Sequence, residues 1–393
     1  MFMNRLDFKF CVRMAISTAV LVATSAQSQT MTHAPSKTPP ATKQRGLSNP
    51  DTSANILFKY QRTKGGDEGS PESTDGLSLQ EVELQFTADV DPFMRASALL
   101  AIHPEDGTHT HSAIQQPASK ISASAEKTYH IEPEEAFIET TSLPIITIKG
   151  GKFKTALGRH NSLHTHAYPF IDAPLINQSL LGHEGLNDVG VSGAVLLPIP
   201  FFSEITVQGI EGDSEELFNS ARSDDGALVG RWRNLFEMGS DATIDLGLSG
   251  ANGKNSFDDK TSVFGGDLTF KWRPSEGGKY TALIVGLEDL RGNLKGKLID
   301  PKMSGDVLYI QFQMAQQWWV QARTQTFNMA AGPDDELENV ASMYSGLVGF
   351  FPSEFSAFRL QYDRMTIKDE DKPTQRLTLQ MNISIGAHPA HSY

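Results

Sequence analysis

The sequence predicts an all-β chain: a 16-stranded antiparallel transmembrane β-barrel with short periplasmic turns, long outer loops and an inward-folded third outer loop. Three observations carry this expectation. Apolar and polar residues alternate with a period of two in segments of about ten residues, the length of a tilted membrane-crossing strand. The connections between these segments alternate between long and short, as a barrel with two unlike rims requires. Aromatic residues collect beside the short connections, where a membrane interface would hold them.

Taken in order, residues 1–26 read as a secretory signal peptide. Arg5, Lys9 and Arg13 precede the apolar stretch Met14–Ala26, and Thr24-Ser25-Ala26 offers small residues for cleavage before Gln27. The stretch is too short to cross a bilayer as a helix. The single cysteine, Cys11, lies in this leader, so the exported chain is expected to use neither disulfides nor thiol chemistry. Residues 27–53, rich in Ser, Thr, Pro and Gln, read as a flexible linker, and 54–393 as the barrel. A formal charge of −13 without a basic run excludes a nucleic-acid partner.

Strands are expected near 55–61, 77–90, 93–103, 130–140, 145–155, 187–197, 202–211, 226–236, 241–250, 262–273, 279–289, 304–315, 318–327, 340–351, 354–363 and 375–387. The alternation is plain in Val82, Leu84 and Phe86 against Glu83, Gln85 and Thr87, and in Phe358, Leu360 and Tyr362 against Arg359, Gln361 and Asp363. Short connections fall at Asp91-Pro92, Leu143-Pro144, 198–200, 238–240, 274–278, Gln316-Gln317 and 352–354. Long ones include 104–129, 156–186, 212–225, 290–303 and 364–374. Phe93, Phe201, Phe202, Trp272, Tyr280, Trp318, Trp319, Phe350, Phe351 and Phe355 form the aromatic girdle at the short-turn rim.

Five segments carry a resemblance to a known family: "GLSLQEVELQFTADVDPFMRASA" (76–98), "IEPEEAFIETTSLP" (131–144), "IKGGKFKTALGRHN" (148–161), "FGGDLTFKWRPSEGGKY" (264–280) and "FFPSEFSAFRLQYDR" (350–364). Together they resemble the bacterial outer-membrane porin-like barrels related to the phosphate-selective porins, a group often labelled zinc-regulated TonB-dependent outer membrane receptor. The resemblance implies a Gram-negative outer membrane, contact with its lipid and lipopolysaccharide, a homotrimer, and passive diffusion of small hydrophilic solutes or ions through a water-filled lumen. An energised receptor would need a 22-stranded barrel and a plug. About 50 residues between the leader and the second strand are too few for a plug, and sixteen strands is a porin count.

The candidate site is the third outer loop, 156–186. Trimeric porins fold this loop into the lumen as a constriction, and its own composition points the same way. Tyr168, Phe170, Ile171, Leu175, Ile176, Leu180 and Leu181 would each forgo roughly 1.5–3 kcal/mol if left in water. The expected constriction residues are Lys152, Lys154, Arg159, His160, His164, His166, Asp172 and His183. Period-two phasing puts Glu83, Asp89, Arg95, Asp267, Lys271, Arg273, Arg323, Arg359 and Asp363 on the lumen face, a mixture of signs rather than a basic ladder.

The histidines carry two readings. They hydrogen-bond wall carboxylates and hold the loop, or His160, His164 and His166 converge on a divalent metal such as zinc, in a metal-linked uptake channel or receptor. No cofactor is otherwise expected. An adhesion or structural barrel with a plugged lumen is a third reading. Ser162 and Asp172 accompany the histidines, but no spacing selects a triad. No catalytic residue is assigned, and the chain is read as not an enzyme. By residue type the histidines are expected to titrate between about pH 5 and 8.

Overall fold

The computed structural model describes residues 50–65, 75–104, 129–294, 301–330 and 337–386, apart from 183, 215, 221, 223, 224, 277 and 279. The signal peptide, nearly all of the linker and His183 lie outside the described residues.

The strands are β1 (Asp51–Lys64), β2 (Gly76–Asp91), β3 (Met94–Pro104), β4 (Tyr129–Thr140), β5 (Ile146–Lys154), β6 (Asn187–Leu196), β7 (Phe202–Ile210) and β8 (Ala227–Met238). They continue as β9 (Ala242–Lys254), β10 (Lys260–Trp272), β11 (Ala282–Asn293), β12 (Lys302–Ala315), β13 (Trp318–Ala330), β14 (Glu338–Ser353), β15 (Ser356–Ile367) and β16 (Thr374–Gly386). Each pairs antiparallel with its sequence neighbours, and β1 pairs with β16, so the sheet closes with no free edge. The seam runs from Ser53 opposite Gly386 to Lys64 opposite Gln375. Strand β1 therefore begins inside the stretch assigned to the linker. Residues 51–53 are extended because β2 and β16 offer them ladder partners, which composition does not register.

Alternation sorts the side chains inside out relative to a water-soluble protein. On β15, Arg359, Gln361 and Asp363 are buried at 5, 1 and 2% exposure. The interleaved Phe358, Leu360 and Tyr362 stand 40–46% exposed. On β9, Asp245, Ser249 and Ala251 are buried, while Leu246 and Leu248 face outward. Buried polar groups and exposed aliphatic ones on one strand make sense only if the outer solvent is hydrocarbon and the interior is polar.

At the short-turn end, aromatic side chains stand exposed and touch one another. Trp318 packs on Phe350 with ring centroids 4.7 Å apart, and Phe201 on Phe236 at 4.8 Å. The alternation of connection lengths fails around β10 and β11. The β9–β10 connection at the long-loop end is only 255–259, shorter than the β10–β11 connection, 273–281, at the other rim. Asn255 makes this tightness workable: its Oδ1 accepts the backbone N–H groups of Phe257 and Asp259, which closes the loop on itself.

Part of the long-loop half of the barrel is apolar inside. Ile210, Val229, Val263, Leu290 and Phe327 present an apolar inner wall near the strand ends. The β5–β6 connection fills this space with helix α1 (Leu175–Leu181), whose Leu175, Ile176, Leu180 and Leu181 are all buried. Burial of these four stabilises the loop in place by roughly 1.5–3 kcal/mol each.

The outward face predicts the response to a charge. Leu248 lies mid-strand on β9 at 59% exposure. Leu248→Arg should lower the unfolding free energy in lipid vesicles by about 2–4 kcal/mol. Urea titration followed by tryptophan fluorescence measures this, and an unchanged midpoint would mean that this face does not meet lipid.

Candidate functional site

The segment between β5 and β6, residues 155–186, turns into the lumen. Its neck is closed by Asn161. The Asn161 amide donates to the carbonyls of Thr155 (2.9 Å) and Leu186 (3.0 Å), and its Oδ1 accepts the N–H of Leu186 at 2.7 Å. The 3₁₀ turns His160–Ser162 and Thr165–Ala167 precede α1. A loop inside a barrel has no sheet partner, so its backbone groups must find side chains. The wall supplies them. Gln208 Oε1 accepts from Ala156 N (2.7 Å), Ser249 Oγ from Gly158 N (2.9 Å), Gln361 Oε1 from Ile171 N (2.9 Å) and Gln325 Oε1 from Leu175 N (3.0 Å). Arg359 donates to the Tyr168 carbonyl at 2.8 Å.

Ionic anchors join this frame, among them a 3.5 Å pair between Arg159 and Asp245 on β9. Glu288 on β11 accepts the N–H groups of Arg159 and His160, and its Oε2 lies 2.5 Å from His160 Nδ1. Gly158 has φ +72°, and a Cβ there would run into this carboxylate, so the glycine lets the chain turn over Glu288. Asp172 receives Arg323 (2.9 Å), Arg376 (3.0 Å) and the Gln361 amide (2.8 Å). Burial alone would raise the Asp172 pKa, but Arg323 and Arg376 outweigh it and hold the carboxyl well below the usual range. His166 Nδ1 lies against Glu83 on β2.

His164 sits between two carboxylates of β4, with Nδ1 3.2 Å from Glu134 Oε2 and Nε2 3.1 Å from Glu135 Oε2. Burial disfavours its charged form. The neighbouring carboxylates Glu134 and Glu135 win and raise its pKa to about 10, so His164 does not titrate between pH 5 and 8 as its residue type suggests. Burial pushes the neighbouring Tyr168 hydroxyl up to about 12.

His160, His164 and His166 do not converge on one point, so the metal site expected from those three is not formed. His160 is held by β11, while the other two lie against β2 and β4 on the other side of the ring of strands. Wall carboxylates on distant strands draw them apart, and no sequence spacing records this. The rings of His164 and His166 remain stacked, 5.9 Å apart. Lys154 bridges Glu134 Oε1 (2.7 Å) and the Glu184 carbonyl (2.9 Å). Lys152, half-buried on β5 opposite Ala136, stands outside the loop's hydrogen-bond frame.

Glu83, Asp267, Arg323, Arg359 and Asp363 are buried inside the barrel. Asp89 and Arg95 pair at 3.0 Å on the same face of the sheet as Glu83, near the short-turn rim and half-exposed. Arg273 lies one residue beyond β10, exposed at that rim. Lys271 lines a cavity of about 140 Å³ together with Arg159, Ser162, Leu163, Tyr309 and Gln311.

Sequence reasoning missed Glu134, Glu288 and Arg376, and placed Gln361 in phase with Arg359 and Asp363 without assigning it to the loop. Phase could have found Glu288 and Arg376: Leu287 and Leu377 face outward, so their neighbours face inward. Nothing in the sequence says which inward group meets which loop residue.

Asp172→Asn should weaken the loop's attachment, because it removes the charge that holds Arg323 at 2% exposure. A carboxyl with a depressed folded-state pKa stabilises the fold above its unfolded value, near 3.9, and that contribution is lost as pH falls through the lower folded value. The wild-type loop should therefore resist pepsin at about pH 4 and become cleavable only below about pH 3. Asp172→Asn should be cut at pH 4, and equal resistance of the two proteins would rule this anchor out.

No protein-family model matches the chain, so the finer labels suggested by the sequence rest on that resemblance alone. An uncharacterized protein of Aquifex aeolicus (strain VF5) is 26% identical over 374 residues, covering 85% of this chain and 74% of that protein. Solved structures resemble the fold. Pseudomonas putida OprB, in its high-pH structure, aligns with a TM-score of 0.57 and 8% identity over 86% of this chain and 94% of its own. Salmonella typhi OmpF, in complex with daunomycin, aligns at 0.55 and 8% identity, covering 86% and 97%. The outer membrane channel DcaP of Acinetobacter baumannii aligns at 0.53 and 10% identity, covering 88% and 99%. The chain thus shares the closed 16-stranded β-barrel architecture of outer-membrane porins.

Proposed function

We propose that this chain is an outer-membrane channel through which small hydrophilic solutes and ions diffuse passively, narrowed by the loop 155–186. The observation that carries this reading is the cavity beside that loop. Arg159 and Lys271 line it, and no described carboxylate does. Lys271 makes no hydrogen bond or ion pair among the described residues, unlike Arg231 and Arg233, which are held by Asp267 and Asp245. An uncommitted ammonium in a confined polar space attracts anions, so the channel prefers anionic solutes. The porin architecture of OprB, OmpF and DcaP supports the same reading.

Export through the leader 1–26, insertion in the outer membrane with lipopolysaccharide contacts, and a homotrimer complete the proposal. They rest on the sequence reading and the family resemblance. No catalytic step is assigned.

Reconstitution in planar bilayers tests this. Discrete conductance steps are expected, with a reversal potential in a KCl gradient that favours chloride. Lys271→Glu should move that potential toward potassium without abolishing the steps. A barrel that gives no steps would overturn the channel in favour of a plugged structural barrel. A wild-type reversal potential favouring potassium would overturn the anion preference alone.

A further inference from the structure

We propose that Glu83, Glu134 and His164 form a binding site for one divalent transition-metal ion, at the junction of β2, β4 and the inward loop. The proposal goes beyond the channel reading and does not depend on it. One donor atom from each residue lies within 4.8 Å of the other two. An ion with bonds of about 2.0–2.2 Å to nitrogen and oxygen needs donors about this close.

The orientation of these side chains is the stronger argument. Glu134 and His164 each offer one donor atom inward while the other is held by a separate group. Glu134 Oε1 is bound by Lys154 Nζ at 2.7 Å, which leaves Oε2. His164 Nε2 meets Glu135 Oε2 at 3.1 Å, which leaves Nδ1. Glu83 Oε2 lies against His166 Nδ1, and neither Glu83 oxygen makes a hydrogen bond. The three remaining atoms, Glu83 Oε1, Glu134 Oε2 and His164 Nδ1, are buried and make no hydrogen bond. Glu134 Oε2 and His164 Nδ1 are only 3.2 Å apart but lack hydrogen-bond alignment. Glu83 and Glu134 are 1 and 2% exposed.

Buried carboxylate oxygens without donors are costly, and one cation would satisfy all three atoms together. The His164–Glu135 pair is also the arrangement by which a carboxylate fixes the ring of a metal-bound histidine. One imidazole and two carboxylates suit zinc, cobalt or nickel better than magnesium. A second group, His103, Glu132 and Glu184, is comparably compact, but His103 Nε2 is already bonded to Glu132 Oε1 at 3.1 Å.

The experiment is calorimetric titration of the purified barrel in detergent with ZnCl2, alongside absorption spectra with CoCl2. One ion per chain is expected, with a cobalt ligand-field band. His164→Ala and Glu134→Gln should each weaken zinc binding at least ~10-fold and remove the band, while His103→Ala should leave both unchanged. Heat-modifiable gel mobility reports folding, and the isosteric Glu83→Gln replaces any variant that fails to fold. Absence of zinc binding, unchanged binding in His164→Ala, or loss of binding in His103→Ala instead would overturn the assignment.

Discussion

A loop of some thirty residues inside a barrel must satisfy its backbone without a sheet, and the rest of this structure depends on how that is done. The ladder partners of β5 and β6 end at the loop's neck, where Asn161 ties Thr155 to Leu186. Beyond it, the wall acts as a set of surrogate partners. Glutamines on β7, β13 and β15 accept loop N–H groups, and arginines on β13 and β15 donate to loop oxygens. A lumen lined only with apolar residues could hold α1 but not the extended stretches on either side of it.

The interior is accordingly divided. Near the long-loop rim, an apolar wall meets α1, and association there is hydrophobic and non-directional. At mid-barrel, buried charges fix the register of the loop, because each anchor accepts only one geometry. Glu288 receives two backbone N–H groups and one imidazole nitrogen, and Asp172 receives two guanidinium groups and an amide. Many inward charges are thereby committed to holding the loop, whereas Arg231 and Asp267 pair within the wall and Lys271 makes no ion pair among the described residues. The Glu83, Glu134 and His164 corner differs, because buried polar atoms there are left without hydrogen-bond partners.

Much of the architecture was legible. Period-two alternation places Arg359 and Asp363 inward without any coordinates, since Phe358, Leu360 and Tyr362 cannot face the same way. The excess of Leu, Ile and Phe in 156–186 announces a loop that must be covered. Other features were hidden. The start of β1 at Asp51 follows from its ladder partners: β2 pairs with Asp51 and Thr52, and β16, more than three hundred residues away in sequence, takes up the seam from Ser53. The tight β9–β10 turn follows from one side chain, Asn255, satisfying two neighbouring N–H groups.

The histidines divide what the sequence determined from what the tertiary structure decided. The sequence by itself determined a sixteen-stranded barrel, the face on which each strand residue lies and an apolar loop with nowhere else to go, because pleat and hydrophobicity are local properties of the chain. It placed His160, His164 and His166 within seven positions of one another and invited a single site. Only closure of the barrel brought Glu288 to the first, Glu134 and Glu135 to the second and Glu83 to the third. Strand register, a property of the whole ring, sets where those carboxylates stand, and it pulls three sequence neighbours to different partners.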